Sequence, residues 1–437
     1  VLPSLFFLHS SGIGGEERGQ FHHRVSEPCA WLAASGAVVV SEANWTTKGA
    51  LDAALAADLL VIQNLSGPEP AAVARLRRSA GRPTLFEMAD DPLTPRPWMG
   101  TTTGPDPALI RRVMEMASRS VGMQFSSTGL LARYGKWKSP HRLLPNIVNL
   151  PNGEPRRAGG GLVIGWAGTL SHRDDLAAIA PALVDLCRRC SDVRIAIKGG
   201  LALRALFDAL PSDRLYHEEF GAYSDYATFL HRLDIGIIPL GQSRFNLGRT
   251  DVKAVEMAAA GSVVLVKDAP AYAGLPDCFP RFSGAADLIA LIGALRADPG
   301  RRFRLAGESG AWVRAARSPD TVAAAHLDWY RGWLGEVATP LPQLEPDPGF
   351  EARFLAVIRR RARDEPDVLD AARGLVAEWP EHEQARWMLG CALHGGGHAM
   401  EGDRTLAPLA DHPVYRNLLQ TPGSPKLPRT RSNRKSP

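Results

Sequence analysis

Between Phe245 and Leu275 the chain gathers residue types that grip a phosphorylated ligand: Arg249, Thr250, Lys253 and Glu256, with Asn246 and Gly248 just ahead. An apolar run, Ile235–Leu240, precedes them, and the pattern from Thr250 or Asp251 to Ala260 predicts a helix ending at Gly261. A polar loop that opens a helix offers unpaired backbone N–H groups and the positive end of the helix dipole, both suited to a diphosphate. Arg249 and Lys253 would add full charges beside it. Glu256, a turn and a half inside, would accept hydrogen bonds from ribose hydroxyls. The same residues fit a plainer arrangement, in which Asp251 caps the helix, Arg249 and Lys253 are solvated, and Glu256 lies on the surface. Spacing alone leaves both open.

The elements that must position these residues are legible as alternation. Leu5–His9, Ala37–Ser41, Asp58–Gln63, Pro83–Ala89 and Val121–Ser127 read as strands, with helical patterns between them such as Ala71–Ala80 and Asp106–Ser118. After a break at Pro151–Gly161 the alternation restarts. Leu162–Ala167, Val193–Lys198, Ile235–Leu240 and Ser262–Lys267 read as strands, and Asp175–Arg188, Tyr223–Arg232, Asp251–Ala260 and Ala285–Ala297 as helices. Such alternation predicts parallel sheets covered on both faces. The expected fold class is α/β: two Rossmann-like domains, residues 1–155 and 160–335, facing across a cleft. A ligand is expected at the carboxyl ends of the strands. Glu336–Gly349 reads as a linker, 350–420 as all helical, and 421–437 as a basic disordered tail. The run Ala385–Gly397 resembles the tetratricopeptide pattern, although a small helical bundle packed on the main body fits it nearly as well.

Composition narrows the class further. The net charge of +5 comes from the tail, through Lys426, Arg429, Arg431, Arg434 and Lys435, so the rest is close to neutral. The tail reads as solvated, with an anionic membrane surface or nucleic acid as the alternative contact, and no nucleic-acid partner is expected. No apolar run reaches the ~20 residues that cross a bilayer. Val1–His9 reads as a buried strand rather than a signal peptide, and the Val1 start suggests a trimmed or incomplete terminus. Five cysteines without framework spacing indicate a reducing compartment and, with the rest, a cytoplasmic location. Cys187 and Cys190 read as structural, and no strong metal site is expected.

The segment Phe245–Leu275 resembles the donor-site signature of group 1 (family 4) glycosyltransferases of GT-B fold. The matching residues are Phe245-Asn246, Lys253, Glu256, Ala259-Ala260 with Gly261, and Pro270 with Tyr272. Ile164–His172 resembles the opening strand and glycine loop of that family's C-terminal domain, Asp234–Leu240 its later strand, and Pro145-Asn146 the residues before its interdomain link. The glycine loop Gly12–Gly15 and Arg24-Val25 resemble the loop after the first strand. The resemblance spans roughly residues 5 to 335 and is strongest in the second half.

It implies transfer of a sugar from a nucleoside diphosphate donor with retention of anomeric configuration, and no required cofactor. Lys253 and Arg249 would stabilise the leaving diphosphate. Glu256, Asn246, Gly248, Thr250, Gly168, Thr169, His172 and Arg173 would bind the donor. Gly14, Gly15, Arg24, Asp90 and Asp91 would face the cleft on the acceptor side; Asp90-Asp91 equally suit a loop cap before Pro92. The family often has an acid where Gly248 stands, although the Phe-Asn branch shares its absence. It also tends to place Arg and Lys where this chain offers Thr169, His172 and Arg173. Expected partners are a nucleotide-sugar, a glycan, lipid or protein acceptor, and a protein at the helical region. A catalytically lapsed GT-B-shaped scaffold is the alternative. A nicotinamide-binding Rossmann enzyme is a third reading, on the loose glycine cluster at Ser10–Gly15.

Overall fold

The computed structural model describes residues 2–10, 19–94, 107–150, 153, 161–334, 348–362, 365–412, 415 and 419. Two six-stranded sheets, each wholly parallel, organise the described chain. The first contains β1 (Ser4–His9), β2 (Val39–Asn44), β3 (Leu59–Gln63), β4 (Thr84–Met88), β5 (Gly122–Phe125) and β6 (His141–Leu143), in the order β2-β1-β3-β4-β5-β6. The second contains β7 (Leu162–Ala167), β8 (Val193–Lys198), β9 (Leu215–Glu218), β10 (Ile235–Ile238), β11 (Val263–Lys267) and β12 (Arg281–Phe282), in the order β12-β11-β10-β7-β8-β9. Each is a Rossmann-like unit with helices on both faces. On β1, Phe6 and Leu8 enter one core while Leu5 and Phe7 enter another, as the period-two pleat requires.

The expected central strands appear with small shifts. β2 begins at Val39, two residues later than read, and β6, β9 and β12 were not anticipated. All four lie at sheet edges, where one side lacks a strand partner and the apolar signal thins. The helix read as Asp175–Arg188 divides into Arg173–Ala177 and Ala180–Arg189. Pro181 starts the second piece, because proline fits a first helical turn but cannot continue a helix.

The helix Pro319–Arg331, read with the second unit, packs into the first. Trp329 and Tyr330 join Leu5, Phe7, Val61 and Leu85. Trp329 Nε1 donates to Gln124 Oε1 at 3.1 Å, and Gln124 Nε2 donates to the Tyr330 hydroxyl at 3.1 Å. The chain therefore leaves the first domain, builds the second, and returns.

Helices Pro348–Ala362, Val368–Glu378, Glu383–Gly395 and Ala399–Leu406 follow. They bury Phe350, Phe354, Leu375, Leu389 and Leu393 among themselves. They also dock on the first domain: Trp387, Leu406, Leu409 and Tyr415 belong to the core that contains Phe6 and Leu8. Gln384 Nε2 donates to the Trp45 carbonyl at 3.1 Å.

Candidate functional site

The pocket lies past the carboxyl ends of β7 and β10. β10 leads through Pro239 and Leu240 to a loop whose Phe245 is buried, then to a tight turn over Asn246–Gly248 and the helix Val252–Ala259. Gly261, at φ +90°, closes that helix in the left-handed region that a glycine tolerates and turns the chain into β11. The expected strand–loop–helix–strand unit is thus formed. Trp166, His172, Asp175, Arg249, Thr250, Lys253 and Tyr272 line the pocket with apolar residues from β10 and its continuation.

Arg249 spans the two domains. One of its nitrogens donates to Asp90 Oδ1 at 2.9 Å, across the cleft. Another donates to His172 Nε2 at 3.0 Å. His172 Nδ1 lies 2.9 Å from Asp175 Oδ2, so the ring is neutral with its proton on Nδ1. Burial lowers the His172 pKa to about 4, and the nearby Arg249 and Lys253 charges reinforce this against Asp175. The Lys253 ammonium donates to the Ala167 carbonyl at 2.9 Å. Burial pushes its pKa down to about 8, opposed by Glu256 and aided by Arg249. Both cations are therefore held in the pocket rather than solvated. Asp251 makes no side-chain cap; it pairs with Arg317. The free volume among these side chains is ≈ 30 Å³, room for a water or two. Anything larger needs the Arg249–Asp90 pair to open.

Glu256 departs from both expectations, being neither open to a ribose nor on the surface. It is 2% exposed. Tyr223 and Tyr226 donate to its two oxygens at 2.9 and 2.7 Å, and His23 of the first domain lies 3.0 Å away. Burial raises its pKa, but His23, Lys253 and Tyr226 outweigh that and hold it below the ordinary carboxylate value. A π-helical turn at His22–Ser26 sets three successive side chains inward. His22 stacks on Tyr223 with ring centroids 3.7 Å apart, His23 meets Glu256, and Arg24 turns to Glu87.

A Cβ at Gly248 would lie 3.2 Å from Leu130 Cδ2, and the Gly248 carbonyl accepts from Ser127 Oγ at 2.8 Å. Across the interface, a Cβ on Gly129 would come within 1.7 Å of the Leu247 carbonyl oxygen. Gly129 thus lets the backbones of the two domains touch.

Several expected site residues are placed elsewhere. Arg24, expected at the cleft, is 2% exposed and forms a two-pronged pair with Glu87 at 3.0 and 3.1 Å. It also donates to Leu144 O and Asn146 Oδ1. Asp91 is buried beneath its own loop, accepting from Leu93 N, Thr94 and Tyr134 and pairing with Arg133; the loop-cap reading is the one that fits. Arg173 is half exposed beside Asp174, and Thr169 is exposed and bonded to Ser171. Gly168 lies against Trp166 and Lys253, where an added Cβ would meet Trp166 at 2.7 Å. Asn246 is 5% exposed and donates to Asp175 and Gly241. Thr250 accepts from Asn146 Nδ2 at 3.2 Å. Gly14 and Gly15 fall outside the described residues, as do the joint around 154–160 and the tail 421–437.

Asp175, Tyr223, Tyr226 and Ser127 were missed. Asp175 had one signal, its i+3 spacing from His172 at a helix start; the other three meet the site only through tertiary contacts. Among the described residues no group of three or more His, Cys, Asp or Glu side chains is gathered to hold a metal ion. No helix among them is long and apolar enough to cross a membrane.

No family model and no curated protein matches the sequence. Among solved structures the chain is similar to Anabaena HepE in complex with UDP-glucose (TM-score 0.57, 14% identity, covering 75% of this chain and 99% of that one). It is equally similar to HepE with UDP (TM-score 0.57, 13% identity, 75% and 100% covered). The sucrose-phosphate synthase of Thermosynechococcus elongatus matches as well (TM-score 0.57, 14% identity, 76% and 98% covered). At these identities the likeness is one of fold, and the chain has the GT-B arrangement of two Rossmann-like domains.

Proposed function

We propose that this protein is a glycosyltransferase, moving a sugar from a nucleoside diphosphate sugar to an acceptor held on the first domain. The observation behind this reading is the convergence of Arg249, Lys253, Thr250 and a helix N-terminus in one pocket at the carboxyl edge of the second sheet, facing Asp90. Cations at a helix start suit the charge that grows on a departing diphosphate, and the GT-B fold supports the assignment by analogy. Arg249 leaves Asp90 for the phosphate when the donor binds; as the bond from the anomeric carbon to the diphosphate oxygen breaks and the acceptor oxygen bonds that carbon, Arg249 and Lys253 meet the charge left on the diphosphate. Side chains supply the positive charge, and no cofactor is required in this reading. We read the reaction as retaining hexosyl transfer in the manner of group 1, family 4. We place it in the cytoplasm, in glycan or cell-surface polysaccharide synthesis, with the tail touching the inner membrane face. The helical region is read as a tetratricopeptide-like module for a protein partner.

The enclosed Glu256 favours a second reading, a lapsed GT-B scaffold, because both its oxygens are already engaged. Thermal-shift titration separates the two. The transferase reading expects stabilisation by UDP, GDP or ADP, since a ligand that binds only the folded state raises its stability with concentration. It also expects Lys253→Ala to weaken that binding by about tenfold or more, and slow hydrolysis of the matching nucleotide-sugar. No response to any diphosphate would leave the scaffold, and a response to nicotinamide cofactors alone would sink both.

A further inference from the structure

The pocket carries groups of opposite charge. Arg249, Lys253 and the start of the helix Val252–Ala259 are cationic. Linked to Arg249 through His172, Asp175 is the one carboxylate among the described lining residues. It comes from the helix Arg173–Ala177, which follows the loop after β7. Its Oδ1 accepts from Gly241 N at 2.8 Å and Asn246 Nδ2 at 2.9 Å, and its Oδ2 faces His172 Nδ1 at 2.9 Å. A carboxylate has about four acceptor positions, so Oδ2 retains capacity on the pocket wall.

Two neighbours add to this. Asn246, which bonds Asp175 from behind the lining residues, is 5% exposed, and its Oδ1 meets no donor in the structure; a buried acceptor left alone calls for a hydroxyl or solvent partner. His172 Nε2, now occupied by Arg249, becomes a free acceptor once Arg249 turns to a phosphate. A side chain at Gly248 would have to displace Leu130 of the first domain, whose Cδ2 lies 3.2 Å from the added Cβ. Acceptors and cations lining one pocket suit a ligand that is polyhydroxylated at one end and diphosphorylated at the other.

We propose that Asp175, with His172 and Asn246 beside it, is the sugar-hydroxyl subsite of this pocket and fixes the orientation of the transferred sugar. The proposal rests on the transferase reading above. Its chemistry is recognition only: Asp175 accepts hydrogen bonds from the sugar and exchanges no proton.

The test is calorimetric titration of the full chain with UDP, GDP and ADP, each beside UDP-glucose, UDP-N-acetylglucosamine, GDP-mannose or ADP-glucose. Asp175→Ala removes the acceptor, and Asp175→Asn keeps an oxygen for Gly241 N while removing the charge. The expected result is that both variants bind the bare diphosphate within about twofold of wild type but lose about 10- to 100-fold of affinity for its sugar conjugate. Unchanged diphosphate binding also reports an intact fold. Equal loss for both ligands would overturn the proposal, making Asp175 a brace for the 241–246 loop. Unchanged binding of both would overturn it too. Wild type that binds none of the diphosphates would overturn the transferase reading itself.

Discussion

Arg24 and Arg249 lie on facing domains, and each meets a carboxylate, yet their surroundings differ. Arg24 is 2% exposed, holds Glu87 with two prongs and adds Leu144 O and Asn146 Oδ1. Glu87 sits in the β4 register between Gln63 and Gln124, so this polar cluster is sealed inside a sheet–helix interface. Arg249 has a side chain 23% exposed, with one bond to Asp90 and one to a neutral histidine. Its partners can be exchanged for a phosphate at low cost; those of Arg24 cannot. A cation near a cleft marks a binding site only when its present partners are few and wet enough to give up.

The contrast can be broken most severely at Arg24. Arg24→Met leaves the Glu87 charge buried without its partner, and stability should fall by about 3–5 kcal/mol. Urea denaturation checks this; a loss below about 1 kcal/mol would mean that the pair is wet and the contrast false. Arg249→Met should instead cost little stability, and about 10²-fold in nucleotide-sugar turnover if Arg249 meets the developing charge. Gly129→Ala tests the contact that sets the cleft, since its methyl group would collide with the Leu247 carbonyl. Forcing the domains apart should cost about 1–3 kcal/mol, and small-angle scattering should report a wider molecule.

pH dependence probes both sides of the comparison. Burial lowers His22 and His172 to about 4 and His326 to about 3. Between pH 6.5 and 4 the unfolded chain therefore binds more protons, and stability falls as pH drops through that window. Glu69, raised by burial to about 7, opposes this from pH 7 down to 4.5, and Glu27, also raised by burial, adds to it, two acids against three histidines. The urea midpoint should be lower at pH 4.5 than at pH 7, and a higher one would contradict the neutral, buried histidines. The smallest effect is expected at the half-exposed Arg173: Arg173→Ala should shift stability by less than about 0.5 kcal/mol and leave diphosphate binding unchanged.

The sequence by itself determined the doubled α/β pattern, because buried parallel strands such as Leu59–Gln63 and Ile235–Ile238 are continuous apolar runs that no other element explains. It also determined the loop and helix that carry Arg249 and Lys253, since those residues share one short stretch of chain; that both are held in the pocket depends on Asp90, His172 and Ala167. The edges β6, β9 and β12 were not legible, because a strand with one neighbour needs little apolar content. Nor was the return of Pro319–Arg331 to the first sheet, which depends on which surface Trp329 and Tyr330 find. Only the tertiary structure decided the fate of Glu256 and Arg24. Each is a charge whose role depends on residues far away in sequence: Tyr223, Tyr226 and His23 for one, Glu87 and Asn146 for the other. Burial and partnership are properties of the assembled molecule, and they decide whether a charge is free to meet a ligand.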